Sequence, residues 1–209
     1  MDNTSRMTML LGELRRERNG AASDSMSFRG KPCGLNLGVA IPTIRSIASA
    51  VGGDHAFARY LYVQDVRELR IAAFWIADAA MVSEPDFDFW ASGIVNSEIA
   101  ELAAMSLFSR VKCVDSLLEK WCAESEILCY AALMSAARNE YATISVVLSA
   151  VSRVLERFPD SRLAGYGATA AVMKVFEREP LMARDFVSCL AVHGAAANYL
   201  REEAEWRME

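Results

Sequence analysis

The pattern of apolar and polar residues predicts a chain of successive helices. Within the segment 66–80, the residues from Leu69 to Ala77 are almost all apolar. Such a run is typical of a helix that neighbouring helices bury on every side. Asp65 and Glu68 stand three positions apart at its start, in the arrangement of a capping box, and this spacing predicts where the helix begins.

Helix-start and helix-stop signals divide the rest of the first half of the chain. A first helix is expected from about Thr4 to Arg18, because Asn19-Gly20 is a common helix stop. Residues 21–38 are expected to form one long irregular loop, whose role the sequence leaves open. Further boundaries are expected at Pro42 in a first helical turn, at Gly52-Gly53, at Asp54, at Ser83 to Asp86, and at Asn96 or Ser97.

Clusters of small residues recur at intervals of 27 to 37 residues, and helices of another composition lie between them. Small residues let neighbouring helices approach closely, and a period of this size is the mark of an α-solenoid. We therefore expect an all-α, HEAT-like-repeat α-solenoid, a curved stack of antiparallel helical hairpins. An ordinary helical bundle is the alternative. The clusters are Ala72-Ala73, Ala103-Ala104, Ala131-Ala132, Ala168 to Ala171 and Ala195 to Ala197.

A single domain over residues 1–209 is expected, with an N-terminal helix and loop in 1–37 and helical repeats in 38–209. The 53% hydrophobic and 23% charged residues suit a folded domain, and 5 prolines with 11 glycines disfavour an all-β fold. The sequence shows neither a membrane span nor a signal peptide, which predicts a cytoplasmic protein. Five cysteines and two histidines lack zinc-site spacing, so reduced cysteines, no metal and no cofactor are expected.

The net charge of −5 argues against casual nucleic-acid binding. The charge is unevenly distributed, however. Residues 1–80 carry ten Lys/Arg against eight Asp/Glu, whereas residues 81–209 carry twelve against nineteen. A DNA-binding function therefore needs a local group of cations.

Three segments resemble the DNA alkylation repair family of HEAT-like-repeat glycosylases, the AlkC/AlkD-like group. Residues 38–45, Gly-Val-Ala-Ile-Pro-Thr-Ile-Arg, resemble that family's G-[VI]-x-x-P-x-x-R segment. Residues 67–73 resemble its R-E-x-x-x-A-A helix, and Ser97 to Glu101 falls where its catalytic helix begins. The motifs occur in order, and the resemblance covers residues 38–137, with weaker similarity to about Phe176.

The resemblance implies a concave groove that holds duplex or damaged DNA and excises an alkylated base. It also implies a carboxylate that stabilises the sugar cation as the base departs, here Glu101. The family's W-x-x-x-D pattern reads Ser97-x-x-x-Glu101 in this chain, so the carboxylate is retained and the tryptophan is absent. The family's second aromatic residue corresponds to Ala171 in this chain and is therefore also absent. Its phosphate-binding arginine is replaced by Tyr130.

Several further residues are candidates for a DNA-binding groove. Trp90 and Tyr130 are candidate groove aromatics in place of the missing ones. Arg67 and Arg70 occur early in their helix, where cations oppose the helix dipole, which suggests that they face a partner. The candidate phosphate-binding cations are Arg67, Arg70, Arg110, Lys112, Arg138 and Arg162.

Two functions remain open from the sequence. The first is a DNA-binding protein of the alkylation-repair family, either a divergent glycosylase or a non-catalytic binder of DNA structure. The second is a HEAT-repeat scaffold that binds a protein partner and has no enzymatic activity, because α-solenoids present surfaces for partners of many kinds. Glu101 itself is either a groove carboxylate or a solvated side chain on an exposed strip.

Overall fold

A computed structural model describes residues 2–27 and 34–208. Over these ranges the regular structure is helical, apart from isolated bridges that join Gly34 and Leu35 to Val66. The predicted all-α class is confirmed. The chain packs as two compact units, unit 1 from Met1–Met81 and unit 2 from Val82–Glu209. None of the helices in the described ranges is long and apolar enough to cross a membrane.

Unit 1 is built around one buried helix. Helix α5 packs against α3 and α4, and α1 packs against the same two helices. The apolar run in α5 predicted this central position, and eight of its residues are buried. The helices of unit 1 are α1 Asn3–Arg16, α2 Gly20–Ser27, α3 Ile41–Val51, α4 His55–Tyr62 and α5 Arg67–Ile76.

Most of the predicted helix boundaries in unit 1 are confirmed. Pro42 lies in the first turn of α3, where a missing N–H costs nothing. Gly52 ends α3 with φ of +80°, a conformation that glycine adopts without strain. The Asp54 carboxylate accepts a hydrogen bond from the Phe57 N–H at 2.9 Å and so caps α4.

The predicted loop at residues 21–38 is partly wrong, because Gly20–Ser27 forms helix α2. Asn19 does not simply stop α1, since its side-chain oxygen accepts a hydrogen bond from the Ala22 N–H at 3.1 Å. The same residue therefore caps the next helix. Residues 28–33 of the predicted loop lie outside the described residues.

The capping box predicted from Asp65 and Glu68 is also wrong. Val66 is the N-cap of α5, and Glu68 turns inward and is fully buried. Its two carboxylate oxygens accept hydrogen bonds from the backbone N–H groups of Leu37 and Val39, at 3.1 and 3.3 Å. The carboxylate therefore anchors the chain segment that leads into α3 instead of capping its own helix.

Unit 2 contains two layers of helices. Helices α7, α9, α11 and α13 pack side by side in sequence, while α8 packs on α9 and α10, and α10 also packs on α9 and α11. The four helices that pack side by side carry the small-residue clusters, and helices of another composition lie between them in the chain. The predicted alternation is therefore confirmed in this unit. The helices are α6 Phe87–Ala91, α7 Ser97–Ser106, α8 Val114–Trp121, α9 Glu126–Ala136, α10 Ile144–Arg157, α11 Arg162–Arg178, α12 Pro180–Cys189 and α13 Ala195–Arg207.

Two glycines on α11 set how closely it approaches its neighbours. A Cβ atom at Gly165 would lie 3.3 Å from the Cα and carbonyl oxygen of Ala196 on α13. A Cβ atom at Gly167 would lie 3.2 Å from the Leu133 Cβ and 3.3 Å from the Tyr130 ring on α9. The backbone of α11 thus fits closely between α9 and α13, and a methyl group at either glycine would require its neighbours to move by a few tenths of an ångström.

We predict that Gly165→Ala destabilises the protein by up to about 2 kcal/mol. Overpacking costs about 1–3 kcal/mol, and the better helix propensity of alanine offsets about 1 kcal/mol of this. Gly12→Ala in α1 is the matched control, because the space around Gly12 is open. It should stabilise the protein by about 0.5–1 kcal/mol. Thermal and denaturant unfolding measure both; a more stable Gly165→Ala protein would show that α13 can shift away from α11.

Candidate functional site: a polar row across the inner helices of unit 2

Each of the four small-residue helices in unit 2 contributes one polar side chain to a common row. We call Glu101, Tyr130, Tyr166 and Tyr199 the inner row; they lie on α7, α9, α11 and α13 respectively. Tyr130 bonds to Glu101, and Tyr166 contacts Tyr199. Gly167, which follows Tyr166, lies beside the Tyr130 ring, so the backbone of α11 packs on α9 between the two pairs.

Glu101 and Tyr130 form a hydrogen-bonded pair at one end of the row. The phenol of Tyr130 donates to Glu101 Oε1 at 2.6 Å. Tyr130 is only 3% exposed, whereas Glu101 is exposed to solvent. The pair therefore places a carboxylate at the surface and fixes one of its oxygens from below.

The surroundings of Tyr130 keep its phenol protonated. Burial raises the pKa of Tyr130, and the hydrogen bond and negative charge of Glu101 raise it further, against a smaller opposing effect of Arg138. The phenol therefore remains a donor through the physiological range. Glu101 is held as an acceptor, with its second oxygen available to a ligand.

Local sequence explains why Glu101 occupies this position. Asn96 caps α7, since its side-chain oxygen accepts a hydrogen bond from the Ile99 N–H at 2.9 Å. This confirms the predicted helix start and sets the face on which Glu101 lies. Neighbours on the same helix offered it no ion pair, and its partner comes from α9, 29 positions further along the chain.

Tyr166 and Tyr199 form the other half of the row and were not among the site residues predicted from the sequence. Their ring centroids lie 4.9 Å apart with an interplanar angle of 73°, an edge-to-face contact. Arg162 donates from Nη2 to the Tyr166 hydroxyl at 3.1 Å, and its guanidinium carbon lies 5.9 Å from the ring centroid. The available signal was one tyrosine next to each of the last two small-residue clusters.

The cations predicted in unit 2 are at the surface. Arg110, Lys112, Arg138 and Arg162 are exposed, and none forms an ion pair with a carboxylate in the described part of the chain. Arg110 instead donates to the carbonyl of Ser106, at 2.6 Å from Nη2. These side chains keep their charge available to an anionic ligand.

Arg138 has a defined position beside the row. It follows the end of α9, and its Nη1 donates to the carbonyl of Met134 at 3.0 Å. The next residue, Asn139, is buried, and its Nδ2 donates to the carbonyls of Phe108 and Val111, both at 2.8 Å. This buried amide fixes the turn that carries Arg138.

Two of the predicted site residues lie in the core and not on a surface. Arg67 is 2% exposed, and its Nη1 bonds to Glu68 at 2.9 Å and to the Val39 carbonyl at 3.3 Å. Its position early in the helix suggested that Arg67 faces a binding partner, but its charge is bound by groups of its own unit. Trp90 is fully buried and packs edge-to-face on Phe89, at 5.1 Å between ring centroids.

Arg70 differs from Arg67 in being partly exposed. Its Nη2 lies 3.9 Å from a carboxylate oxygen of Asp65, and its Nε donates to the Tyr62 carbonyl at 3.5 Å. Arg67 and Arg70 belong to unit 1, whereas the inner row and the other predicted cations belong to unit 2. The sequence-predicted site is therefore divided between the units, and the inner row lies in one of them.

We predict that the free energy of unfolding falls as the pH rises above about 10, the ordinary tyrosine pKa. The raised pKa of Tyr130 means that the unfolded chain loses this proton before the folded one does. The fall should be smaller in Tyr130→Phe and intermediate in Glu101→Gln, measured by urea unfolding across pH. The same pH dependence in all three proteins would contradict the proposed environment of this phenol.

Comparisons with known proteins give a likeness in structure. Neither a family model nor a curated protein matches the sequence. A solved structure matches with a TM-score of 0.71 and 16% sequence identity, covering 99% of this chain and 95% of that one. It is described as representing a new family of proteins related to the HEAT-like repeat DNA glycosylases with affinity for branched DNA structures. The HEAT-like-repeat fold predicted from the sequence is therefore confirmed.

Proposed function

We propose that this protein binds DNA through the inner row of unit 2 and the exposed arginines beside it. The observation that carries the proposal is the row itself, in which Glu101, Tyr166 and Tyr199 reach the surface and the buried phenol of Tyr130 holds Glu101 in place. Arg138 and Arg162 lie next to Tyr130 and Tyr166 and have no carboxylate partner in the described chain. The affinity for branched DNA attributed to the structural neighbour supports the same function.

The charge of unit 2 constrains how DNA is held. The unit is acidic as a whole, so long-range attraction does not bring DNA to it. Several basic groups are already neutralised, as in the pairs Lys120–Asp88 and Lys174–Glu140, at 2.6 and 2.7 Å. Binding must therefore come from a few short-range phosphate contacts, for which the fork of an arginine is well suited.

A non-catalytic binder of DNA structure agrees best with the state of Glu101. A carboxylate that stabilises a sugar cation acts most strongly where water is excluded. Glu101 is exposed, and the phenol of Tyr130 already engages one of its oxygens. Divergent glycosylase activity on alkylated bases is the narrower form of the proposal, with Glu101 as the stabilising anion.

A protein-interaction scaffold is the second candidate function. It is favoured by large apolar side chains at the start of α12, where Leu181 is 79% exposed and Met182 is 48% exposed. Exposed apolar residues of this kind are typical of protein-binding surfaces when they are contiguous. In this case unit 2 should bind no DNA even at low salt.

We predict measurable DNA binding whose salt dependence reports the arginine contacts. Each lost phosphate contact reduces the steepness of the log–log dependence of affinity on salt by about 0.9. Arg138→Ala and Arg162→Ala should each show this decrease with duplex and branched DNA in fluorescence anisotropy. Arg153→Ala is the matched control, since Arg153 is exposed on α10 in the other helix layer.

The wild type and Glu101→Gln together distinguish a DNA-structure binder, a glycosylase and a protein scaffold. Absence of DNA binding by the wild type at low salt would rule out the proposal and favour the scaffold. Binding without release of methylated bases, unaltered by Glu101→Gln, identifies a DNA-structure binder. Base release that is lost in Glu101→Gln while DNA affinity is kept identifies a glycosylase.

A further inference from the structure

We infer that Tyr166 and Tyr199 form a stacking platform for unpaired DNA bases. The protein then prefers DNA that contains a single-stranded segment over a perfect duplex. This inference rests on the proposed DNA-binding function and adds to it the feature that is recognised. It concerns two residues that neither the resemblance nor the predicted cations included.

The first observation is that aromatic surface is available at a helix junction. Tyr166 is 38% exposed and Tyr199 is partly exposed, although both lie beside the tightly packed contact of α11 with α13. Large aromatic residues in such a contact are usually covered. Here the two rings meet edge to face at 4.9 Å and still leave part of their surface to solvent.

The second observation is that the rings are held in place before any ligand binds. Gly165 allows the backbone of α11 to pack closely against Ala196 on α13, which fixes the spacing of the two helices that carry the rings. Arg162 also bonds to the Tyr166 hydroxyl at 3.1 Å. A ligand that stacks on the platform therefore loses little affinity to ordering of these side chains.

The third observation is the charge beside the rings. The guanidinium of Arg162 lies 5.9 Å from the Tyr166 ring centroid and has no carboxylate partner in the described chain. An exposed aromatic ring with an adjacent cation is the combination that binds a nucleotide in a single strand, because the base stacks and its phosphate meets the cation. A neutral peptide would use the rings but not the charge.

Unpaired bases follow from the geometry of stacking. In a perfect duplex both faces of each base are covered by its neighbours, so a side chain reaches a face only where the base has left the stack. Base–aromatic stacking tolerates every sequence, because every base has an aromatic face. We therefore expect selectivity for unpaired DNA without selectivity for its sequence.

The test compares two DNAs that differ only in pairing. One is a continuous duplex, and the other is the same duplex with a short central stretch of unpaired thymines. Wild-type protein should bind the second DNA at least about fivefold more tightly, as expected from stacking of one base. The preference should be lost in the double variant Tyr166→Leu with Tyr199→Leu, because its affinity for the unpaired DNA falls by a larger factor than its affinity for the duplex.

Two further variants distinguish stacking from general damage. Tyr166→Phe keeps the ring and loses only the hydroxyl, so the preference for unpaired DNA should remain. Tyr141→Leu removes an exposed tyrosine of the same unit that is not a member of the row, and both affinities should remain. A fluorescent adenine analogue in the unpaired stretch should be quenched on binding by the wild type and less quenched by the double variant.

The outcomes separate this inference from the proposed function. Binding of neither DNA by the wild type overturns the DNA-binding function and the platform together. Equal binding of both DNAs, or an equal loss for both in the double variant, overturns the platform and leaves DNA binding in place. Thermal unfolding of each variant shows that the measured proteins are folded.

Discussion

The inner row depends on the closeness with which α9, α11 and α13 pack. Gly165 and Gly167 place the backbone of α11 directly against its two neighbours. Side chains on the solvent side of these helices are consequently brought within contact distance of each other. With larger residues at these glycines, the axes of the three helices would lie further apart. Tyr166 would then lie further from the Tyr199 ring, and α11 would no longer pack directly on the Tyr130 ring.

The row combines two kinds of chemistry on one surface. At one end a protonated phenol holds a solvent-exposed carboxylate, and at the other an arginine orients an aromatic pair. The carboxylate repels phosphate while the arginines attract it. In the proposed complex with DNA, a backbone crossing this surface would be attracted by Arg138 and Arg162 and repelled by Glu101, so an acidic protein would hold a polyanion through local contacts.

The sequence predicts the framework better than it predicts the site. Alanine clusters reveal the inner helices because close packing requires small residues at regular intervals. Helix α2 was missed because Asn19 serves as both a helix stop and an N-cap, and its eight residues carry little apolar signal. The contact of Tyr166 with Tyr199 was missed for another reason: it joins residues 33 positions apart, and the register of α11 on α13 decides it.

The buried pair of Arg67 and Glu68 has a consequence for how such chains are recognised. Glu68 anchors the backbone that enters α3, and Arg67 neutralises its charge, so removing either one leaves a buried ion without its partner. The stretch Arg-Glu-x-x-x-Ala-Ala at residues 67–73 is then a signature of architecture. It indicates how the segment before α3 is held against α5. An enzyme, a DNA-binding protein and a scaffold could all contain it.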